Sequence, residues 1–265
     1  MARTAVLTRP GDRHAALAQR LRSAGWTVLS APALQIEPLP VQGMARFEPS
    51  LYDLVVFVSG NAVRAYADAL RFDATTSTWP ANVAVAGVGA ATLREARRVF
   101  RLSGTNVQYA PSAYAQSHDS EALYEAMCLA RATARRVLIV RGATGRQWLA
   151  DRLRADGAEV DMLPLYARIP AVWPADTLAT LATWRAQGRA VTWLFTSAES
   201  MGAVAQQIQA NDWSQWWVSS PVVVTHSRLA QAWRRCVDEA GGVADDKITV
   251  CLPDDDGIFE AFVAV

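Results

Sequence analysis

Short apolar runs alternate with longer amphipathic segments along most of the chain, which predicts strands and helices in turn. Strands are expected at residues 54–58, 83–86, 106–109, 191–195, 222–225 and 248–251, and helices at 61–71, 90–100, 119–129, 198–210, 228–240 and the C-terminal end. Strands that are apolar throughout and separated by helices are typical of parallel sheets covered on both faces. The pattern therefore predicts an α/β protein built on doubly wound parallel sheets.

A stretch near the start of the chain returns later without gaps. Residues 9–38 align with residues 141–170, and each copy follows a short apolar run, at 5–7 and 137–140. Both copies have the pattern strand, loop, helix, glycine stop, strand and proline exit, so a βαβ unit occurs twice. The identical pairs are Arg9/Arg141, Leu17/Leu149, Ala18/Ala150, Arg20/Arg152, Leu21/Leu153, Arg22/Arg154, Gly25/Gly157, Val28/Val160, Pro32/Pro164 and Pro38/Pro170.

Prolines gather after each copy and mark linkers at 32–50 and 164–189, whereas the passage 130–136 contains neither proline nor glycine. We therefore expect crossed connectivity. Residues 1–35 with 171–265 would form one lobe, and residues 36–170 a second, inserted lobe. The two crossings would lie side by side as a two-stranded β linker, with the carboxyl ends of both sheets turned toward one cleft.

The composition excludes several classes of protein. A net charge of +1 lacks the basic footprint of a nucleic-acid-binding protein. Lys247 is the only lysine, which disfavours Schiff-base and P-loop chemistry. Cys128, Cys236 and Cys251 lack the spacing of a zinc site or disulfide framework, and no signal peptide or long apolar run is present. We expect a cytoplasmic protein without a metal, a nucleic-acid partner or a membrane anchor.

Polar residues follow several predicted strands, at the edge where doubly wound sheets bind ligands. Ser59 and Asn61 come after strand 54–58, and Ser197 comes after strand 191–195. A serine or asparagine there can cap the next helix, and the free N–H groups of the first turn can hold an anion. A plain helix cap and an anion site remain alternative interpretations of these turns.

The turn after strand 83–86 nearly spells a dinucleotide-binding fingerprint, from Gly87 through Gly89 to Thr92. The last glycine of that fingerprint is replaced by Thr92, and the next strand lacks the acidic residue that would hold a ribose. Nucleotide binding is therefore disfavoured. A tight turn that aims backbone N–H groups at an anion is the interpretation we keep.

An arginine stands at the end of the first strand in each copy of the repeat. Arg9 precedes a Pro-Gly turn, and Arg141 precedes Gly142. The planar guanidinium suits carboxylate recognition, although a salt bridge to a surface acid would use the same side chain. The histidines His14, His118 and His226 lie in unrelated segments and resemble no ligand set.

The order and spacing of these segments resemble the uroporphyrinogen-III synthase family over nearly the whole chain. The motifs that carry the resemblance are VLTRPG, AGWTVLSAP, FVSGNAVRA, VGAAT, VLIVRG, GAEVDMLPLY and FTSAESMGAV. The resemblance implies two α/β lobes joined by a β ladder. It implies cyclisation of hydroxymethylbilane, a linear tetrapyrrole with eight carboxylates, with inversion of the last pyrrole and loss of water. It also implies no cofactor, and we expect a monomer, with transient contact to the preceding pathway enzyme left open.

The resemblance also assigns roles to residues. It implies Tyr166 as the general acid, because a phenol is protonated at neutral pH and can donate; a hydrogen-bonded linker aromatic is the alternative. It implies Ser59, Asn61, Thr92 and Ser197 as substrate-binding residues, and the other candidates are the strand-end residues Arg9, Gly89, Arg141, Gly142 and Arg228. The chain departs from the family at Leu229, where relatives often have Thr, and at Ala198, where Pro is common. A non-catalytic two-lobed protein that binds or senses a polycarboxylate is the rival hypothesis from another class.

Overall fold

A computed structural model of the chain describes residues 3–10, 14–111, 120–242 and 247–264. In chain order the elements are β1 (Thr4–Leu7), α1 (Ala15–Ser23), β2 (Thr27–Ser30), β3 (Leu34–Pro38), β4 (Leu54–Phe57), α2 (Gly60–Leu70), β5 (Ala84–Gly87), α3 (Ala90–Phe100), β6 (Gln108–Tyr109), α4 (Ser120–Leu129), β7 (Arg136–Gly142), α5 (Trp148–Ala155), β8 (Glu159–Pro170), α6 (Ala175–Ala186), β9 (Thr192–Phe195), α7 (Ala198–Ala210), α8 (Ser214–Val218), β10 (Val222–Val224), α9 (Ser227–Glu239), β11 (Ile248–Val250) and α10 (Asp255–Ala264). No helix of the described residues is long and apolar enough to span a bilayer.

The chain divides into two compact units. Unit 1 comprises residues 1–35 and 169–265, and unit 2 comprises residues 36–168. The sequence placed the end of the inserted lobe at residue 170, where a proline ends the strand. The unit boundary instead falls inside β8, because this strand continues from one unit into the other.

Unit 1 contains a five-stranded parallel sheet in the order β11-β10-β9-β1-β2. Strands β1, β9 and β10 are buried along their whole length, so an apolar core covers each face. One core contains most of the tryptophans, including Trp173, Trp193 and Trp233. The other core packs α1 and α10 on the opposite face, around Leu17 and Phe262.

Unit 2 contains a sheet in the order β3-β8-β7-β4-β5-β6, with parallel pairs from β8 to β6. Its central strand β4 is fully buried, and α2 and α3 cover one face. Helices α4 and α5 cover the other face. The prediction of an α/β fold with parallel sheets is confirmed.

The edge strand β3 pairs with β8 where the chain crosses between the units. The N–H of Leu39 donates to the carbonyl of Leu165, and the N–H of Ala171 donates to the carbonyl of Ala33. As residue numbers rise along one strand they fall along the other, so the pair is antiparallel. The two crossings are therefore hydrogen-bonded to each other, as a two-stranded linker requires.

The predicted linker at 164–189 was wrong in two respects. Residues up to Pro170 extend β8, and residues Ala175–Ala186 form α6. Pro174 directly precedes this helix, and a proline at a helix start is compatible with helical geometry because it lacks only an N–H that would be unpaired there. The short helix α8 was also not predicted, because its tryptophan-rich sequence gives no amphipathic period.

Candidate functional site

The two sheets have related strand orders, and each has a point where the chain reverses its direction of travel across the sheet. In unit 2 this switch point lies between β7 and β4, since β8 lies beyond β7 and β5 lies beyond β4. In unit 1 it lies between β1 and β9. Open α/β sheets bind ligands at such points, outside the carboxyl ends of the strands. The residues that follow β7 and β4 are therefore the first candidates in unit 2.

A pocket of about 330 Å³ opens at the switch point of unit 2. It brings together four of the predicted site residues, namely Ser59, Arg141, Gly142 and Tyr166. Its lining contains arginines and hydroxyl groups but neither aspartate nor glutamate, so the pocket is suited to anions. The other lining residues are Val58, Val88, Ser120, Ala143, Thr144, Gly145, Arg146 and Arg168.

The phenol of Tyr166 lies at the centre of this arrangement. Tyr166 is on β8 and only 6% exposed, and its hydroxyl lies 2.8 Å from Ser59 Oγ. Ser59 is the N-cap of α2, and its Oγ also accepts a hydrogen bond of 3.2 Å from the N–H of Ala62. The hydroxyl of Ser59 therefore links the phenol to the first turn of a helix.

The ring of Tyr166 packs where a side chain at residue 142 would otherwise lie. A Cβ added at Gly142 would lie 3.0 Å from Tyr166 Cε2 and 3.2 Å from Cζ. The N–H of the next residue, Ala143, donates to the Tyr166 carbonyl at 2.7 Å. The end of β7 and the middle of β8 are thus closely packed, and a side chain at residue 142 would have to displace the phenol.

Arg141 is 7% exposed and is held by backbone groups. Its Nε donates to the Gly142 carbonyl at 3.0 Å, and its Nη1 to the Arg146 carbonyl at 3.4 Å. Gly145 has a φ of +134°, and a Cβ there would lie 3.0 Å from Arg141 Nη2. Within the described residues no carboxylate pairs with Arg141. A buried guanidinium without a counter-charge has a strong electrostatic preference for a bound anion.

Two further arginines, Arg146 and Arg168, also line the pocket, and neither was a predicted site residue. Arg146 forms an ion pair with Glu121. Arg168 stands two residues after Tyr166 on β8, so strand alternation places both on the same face. That alternation is the signal that could have identified Arg168 once Tyr166 had been chosen.

The remaining predicted residues of unit 2 occupy the first turns of α2 and α3. Asn61 Oδ1 accepts a hydrogen bond of 2.6 Å from Arg64. Gly89 is the N-cap of α3 and offers no side-chain cap, and Thr92 is buried in the first turn. None of these three residues lines the pocket. Hydrogen bonds from Arg98 and then from Arg64 hold the pKa of the nearby Glu95 below its usual value.

The predicted residues of unit 1 have partners within their own unit. Arg9 Nη1 lies 2.6 Å from Asp255 Oδ1, which favours the salt-bridge alternative for this arginine. Ser197 Oγ caps α7 by accepting from the N–H of Ser200. Arg228 is exposed in the first turn of α9, and its backbone N–H donates to the ring of His226, the N-cap of that helix.

The described residues contain no cluster of three or more His, Cys, Asp or Glu side chains that could hold a metal ion. His14 bonds Ser30 through its ring, and His226 caps α9. His118 lies outside the described residues. The three cysteines are free thiols, and burial raises the pKa of Cys236 and of Cys251.

Comparison with known proteins shows the fold and the family of this chain. The uroporphyrinogen-III synthase of Salmonella typhimurium is 28% identical over 244 residues, which cover 91% of this chain and 94% of that protein. The enzyme of the same name from Proteus mirabilis is 30% identical over 167 residues, covering 62% of this chain and 79% of that protein. The crystal structure of uroporphyrinogen-III synthetase from Helicobacter pylori has the same fold, with a TM-score of 0.59 at 13% identity over 99% of both chains. The family model of uroporphyrinogen-III synthase HemD matches residues 15–240, and the chain therefore belongs to the uroporphyrinogen-III synthase family.

Proposed function

We propose that the chain converts hydroxymethylbilane into uroporphyrinogen III, as a cofactor-free cyclising lyase of haem biosynthesis, at the unit 2 pocket. The observation that carries this proposal is the pairing of two groups in one pocket. A phenol, Tyr166, can donate a proton, and a buried guanidinium, Arg141, lacks a carboxylate partner among the described residues. A substrate with eight carboxylates and a departing hydroxyl needs both groups.

The first chemical step is loss of the substrate hydroxyl. The C–O bond of the hydroxymethyl group breaks as the pyrrole nitrogen supplies its electron pair, which leaves a reactive azafulvene that still carries its N–H proton and one positive charge. Tyr166 donates its proton to the departing oxygen, which leaves as water, and Ser59 can donate a hydrogen bond to the phenolate that forms. The proton that the substrate releases on ring closure restores the phenol. A positioned general acid contributes about 10²- to 10⁴-fold to a rate.

The second task is control of shape. Once formed, the azafulvene can close unaided into the uninverted isomer I, so the protein must hold the bilane where only the spiro-forming attack is within reach. Fixing the carboxylates achieves this through proximity and orientation. We assign one carboxylate to Arg141 and propose backbone and side-chain contacts with others at Asn61, Gly89, Thr92, Gly142, Ser197 and Arg228.

The test is to supply purified protein with freshly generated hydroxymethylbilane and to resolve the isomers of the product. Uroporphyrinogen III as the dominant product would support the proposal. A non-catalytic polycarboxylate-binding protein would leave isomer I as the product, and this outcome would reject the enzymatic function. Omitting the protein gives the matched control, because the uncatalysed reaction also yields isomer I.

A further inference from the structure

Helix α10 of unit 1 and helix α4 of unit 2 occupy equivalent places in their units. A cation–π contact in each unit shows which residues of the two helices correspond. Arg20 lies over the ring of Phe259 at 4.4 Å, and Arg152 lies over the ring of Tyr124 at 5.1 Å. Arg20 and Arg152 are one of the identical pairs of the repeat. Phe259 is the fifth residue of α10, and Tyr124 is the fifth residue of α4. The first residues of these helices, Asp255 and Ser120, are therefore equivalent.

In unit 1 the first residue of the helix neutralises the arginine at the strand end. Asp255 Oδ1 lies 2.6 Å from Arg9 Nη1, and Arg9 Nη2 also donates to the Pro253 carbonyl at 3.3 Å. The side chain of Arg9 is 12% exposed and that of Asp255 is 37% exposed. The protein itself supplies the carboxylate that a charged guanidinium at this position requires.

In unit 2 the equivalent residue carries no charge. Ser120 and Arg141 line the same pocket. Of the two acids adjacent to Ser120 in sequence, Glu121 pairs with Arg146 and not with Arg141, and Asp119 lies outside the described residues. Arg141 is therefore buried to more than nine-tenths, faces a pocket and has no acidic partner among the described residues. Among the described residues, the difference between the two arginines follows from this helix position, which is an aspartate in unit 1 and a serine in unit 2.

We propose that Ser120 determines where the substrate binds, because an uncharged residue at this position leaves Arg141 available to a carboxylate of the bilane. This inference rests on the function proposed above and deepens it. The first turn of α4 and the guanidinium of Arg141 together form the recess for one acetate or propionate. The Asp255 carboxylate occupies the corresponding recess on Arg9.

The decisive variant is Ser120→Asp, which transfers the unit 1 arrangement to unit 2. The new carboxylate should pair with Arg141, which raises KM for hydroxymethylbilane about tenfold or more and raises Tm by about 2 °C or more. A higher KM together with a higher Tm distinguishes this outcome from a general loss of structure, which would raise KM and lower Tm. The isosteric control Ser120→Asn should raise KM clearly less and should not raise Tm. In a Ser120→Asp/Arg141→Gln double variant, the gain in Tm should disappear.

The reciprocal variant keeps the inference testable if Ser120→Asp does not fold. Asp255→Ser should lower Tm and leave KM within about threefold of the parent value, since neither Asp255 nor Arg9 is among the proposed substrate contacts. A tenfold rise in KM for Asp255→Ser would overturn the inference, as would equal KM values for Ser120→Asp and the parent. Either of these two overturning results would leave the proposed function intact if the parent protein still yields isomer III. Failure of the parent to yield isomer III would reject the function itself.

Discussion

The two switch points have the same strand-end arginine, but the arginine has different partners in the two units. In unit 1, Arg9 is paired with Asp255. In unit 2, Arg141 has no acidic partner among the described residues and shares a pocket with Tyr166. The repeat places Leu34 at the position of Tyr166, and this leucine is buried in the unit 1 core.

This difference shows how a duplicated βαβ unit can serve two purposes. One copy stabilises its own unit through an internal ion pair and an apolar side chain. The other copy has an arginine without an acidic partner among the described residues and presents a phenol, which lowers stability but allows ligand binding. Identity within the repeat therefore does not imply equal function, because the partners come from elements outside the repeat.

The largest effect is expected at Tyr166. Tyr166→Phe removes the proposed general acid and should lower kcat by roughly 10²- to 10⁴-fold, measured by the initial rate of isomer III formation. The matched control is Tyr66→Phe. Tyr66 is also buried in unit 2 and donates its hydroxyl to the Phe47 carbonyl, so its variant should stay within about threefold in kcat. A loss under about threefold for Tyr166→Phe would reduce this residue to a packing role.

A smaller effect, seen mainly in KM, is expected at the strand-end arginines. Arg141→Gln should raise KM for hydroxymethylbilane about 10- to 100-fold, the value of a lost charge-assisted hydrogen bond. Arg9→Gln breaks the pair with Asp255 and should lower Tm with little change in KM. Steady-state kinetics and thermal unfolding of both variants measure the contrast. Equal KM changes would mean that the two units contribute alike to binding.

A still smaller effect is expected from Gly142→Ala. The added methyl group would lie 3.0 Å from the Tyr166 ring, so the variant should lose about 1–3 kcal/mol of stability and part of its kcat. Gly202→Ala is the matched control in unit 1. Gly202 lies inside α7 with nothing near its Cβ position, so alanine there should stabilise the protein by about 0.5–1 kcal/mol. Urea unfolding of both variants decides between these directions.

The smallest effect concerns an ion-pair network of unit 2 that has no counterpart at the equivalent positions among the described residues of unit 1. Glu95 pairs with Arg64 and Arg98, whereas counting from the helix N-caps places Gly202 and Ala232 at the positions of Arg64 and Glu95 in unit 1. The pKa of Glu95 is lowered, so its stabilisation is present above the usual carboxyl pKa and lost as pH falls through the lowered value.

Glu95→Gln should therefore lower Tm by about 1–2 °C at neutral pH. The difference from the parent should shrink as pH falls through the lowered pKa of Glu95. A Tm difference that stays constant down to strongly acidic pH would show that the carboxylate charge is not the stabilising feature. Thermal unfolding across a pH series makes this measurement.

Much of the fold could be predicted from the chain because its strands are continuous apolar runs. Strand β4 and helix α3 fall within one residue of their expected positions. Helix α6 was missed because Pro164, Pro170 and Pro174 mark both a strand exit and a helix start. Proline has the same restricted φ in either role, so composition alone could not separate them.

The candidate site could be predicted only in part. Ser59, Arg141 and Tyr166 follow from strand ends and from the family resemblance, and the structure places them in one pocket. The contrast between Arg9 and Arg141 could not be predicted, because both have the same repeat context. Their surroundings depend on the packing of α10 and α4, which lie outside the repeat.

In the proposed mechanism, Arg141 of the unit 2 pocket binds the substrate and Tyr166 protonates it. A crystal structure with a uroporphyrinogen III product, or a stable octacarboxylate porphyrin, tests this most directly. We expect a ligand carboxylate within hydrogen-bond distance of Arg141, about 3.0 Å, and the Tyr166 hydroxyl facing the site of ring closure. A ligand whose carboxylates all lie beyond reach of Arg141, with the Tyr166 phenol still bonded only to Ser59, would contradict it.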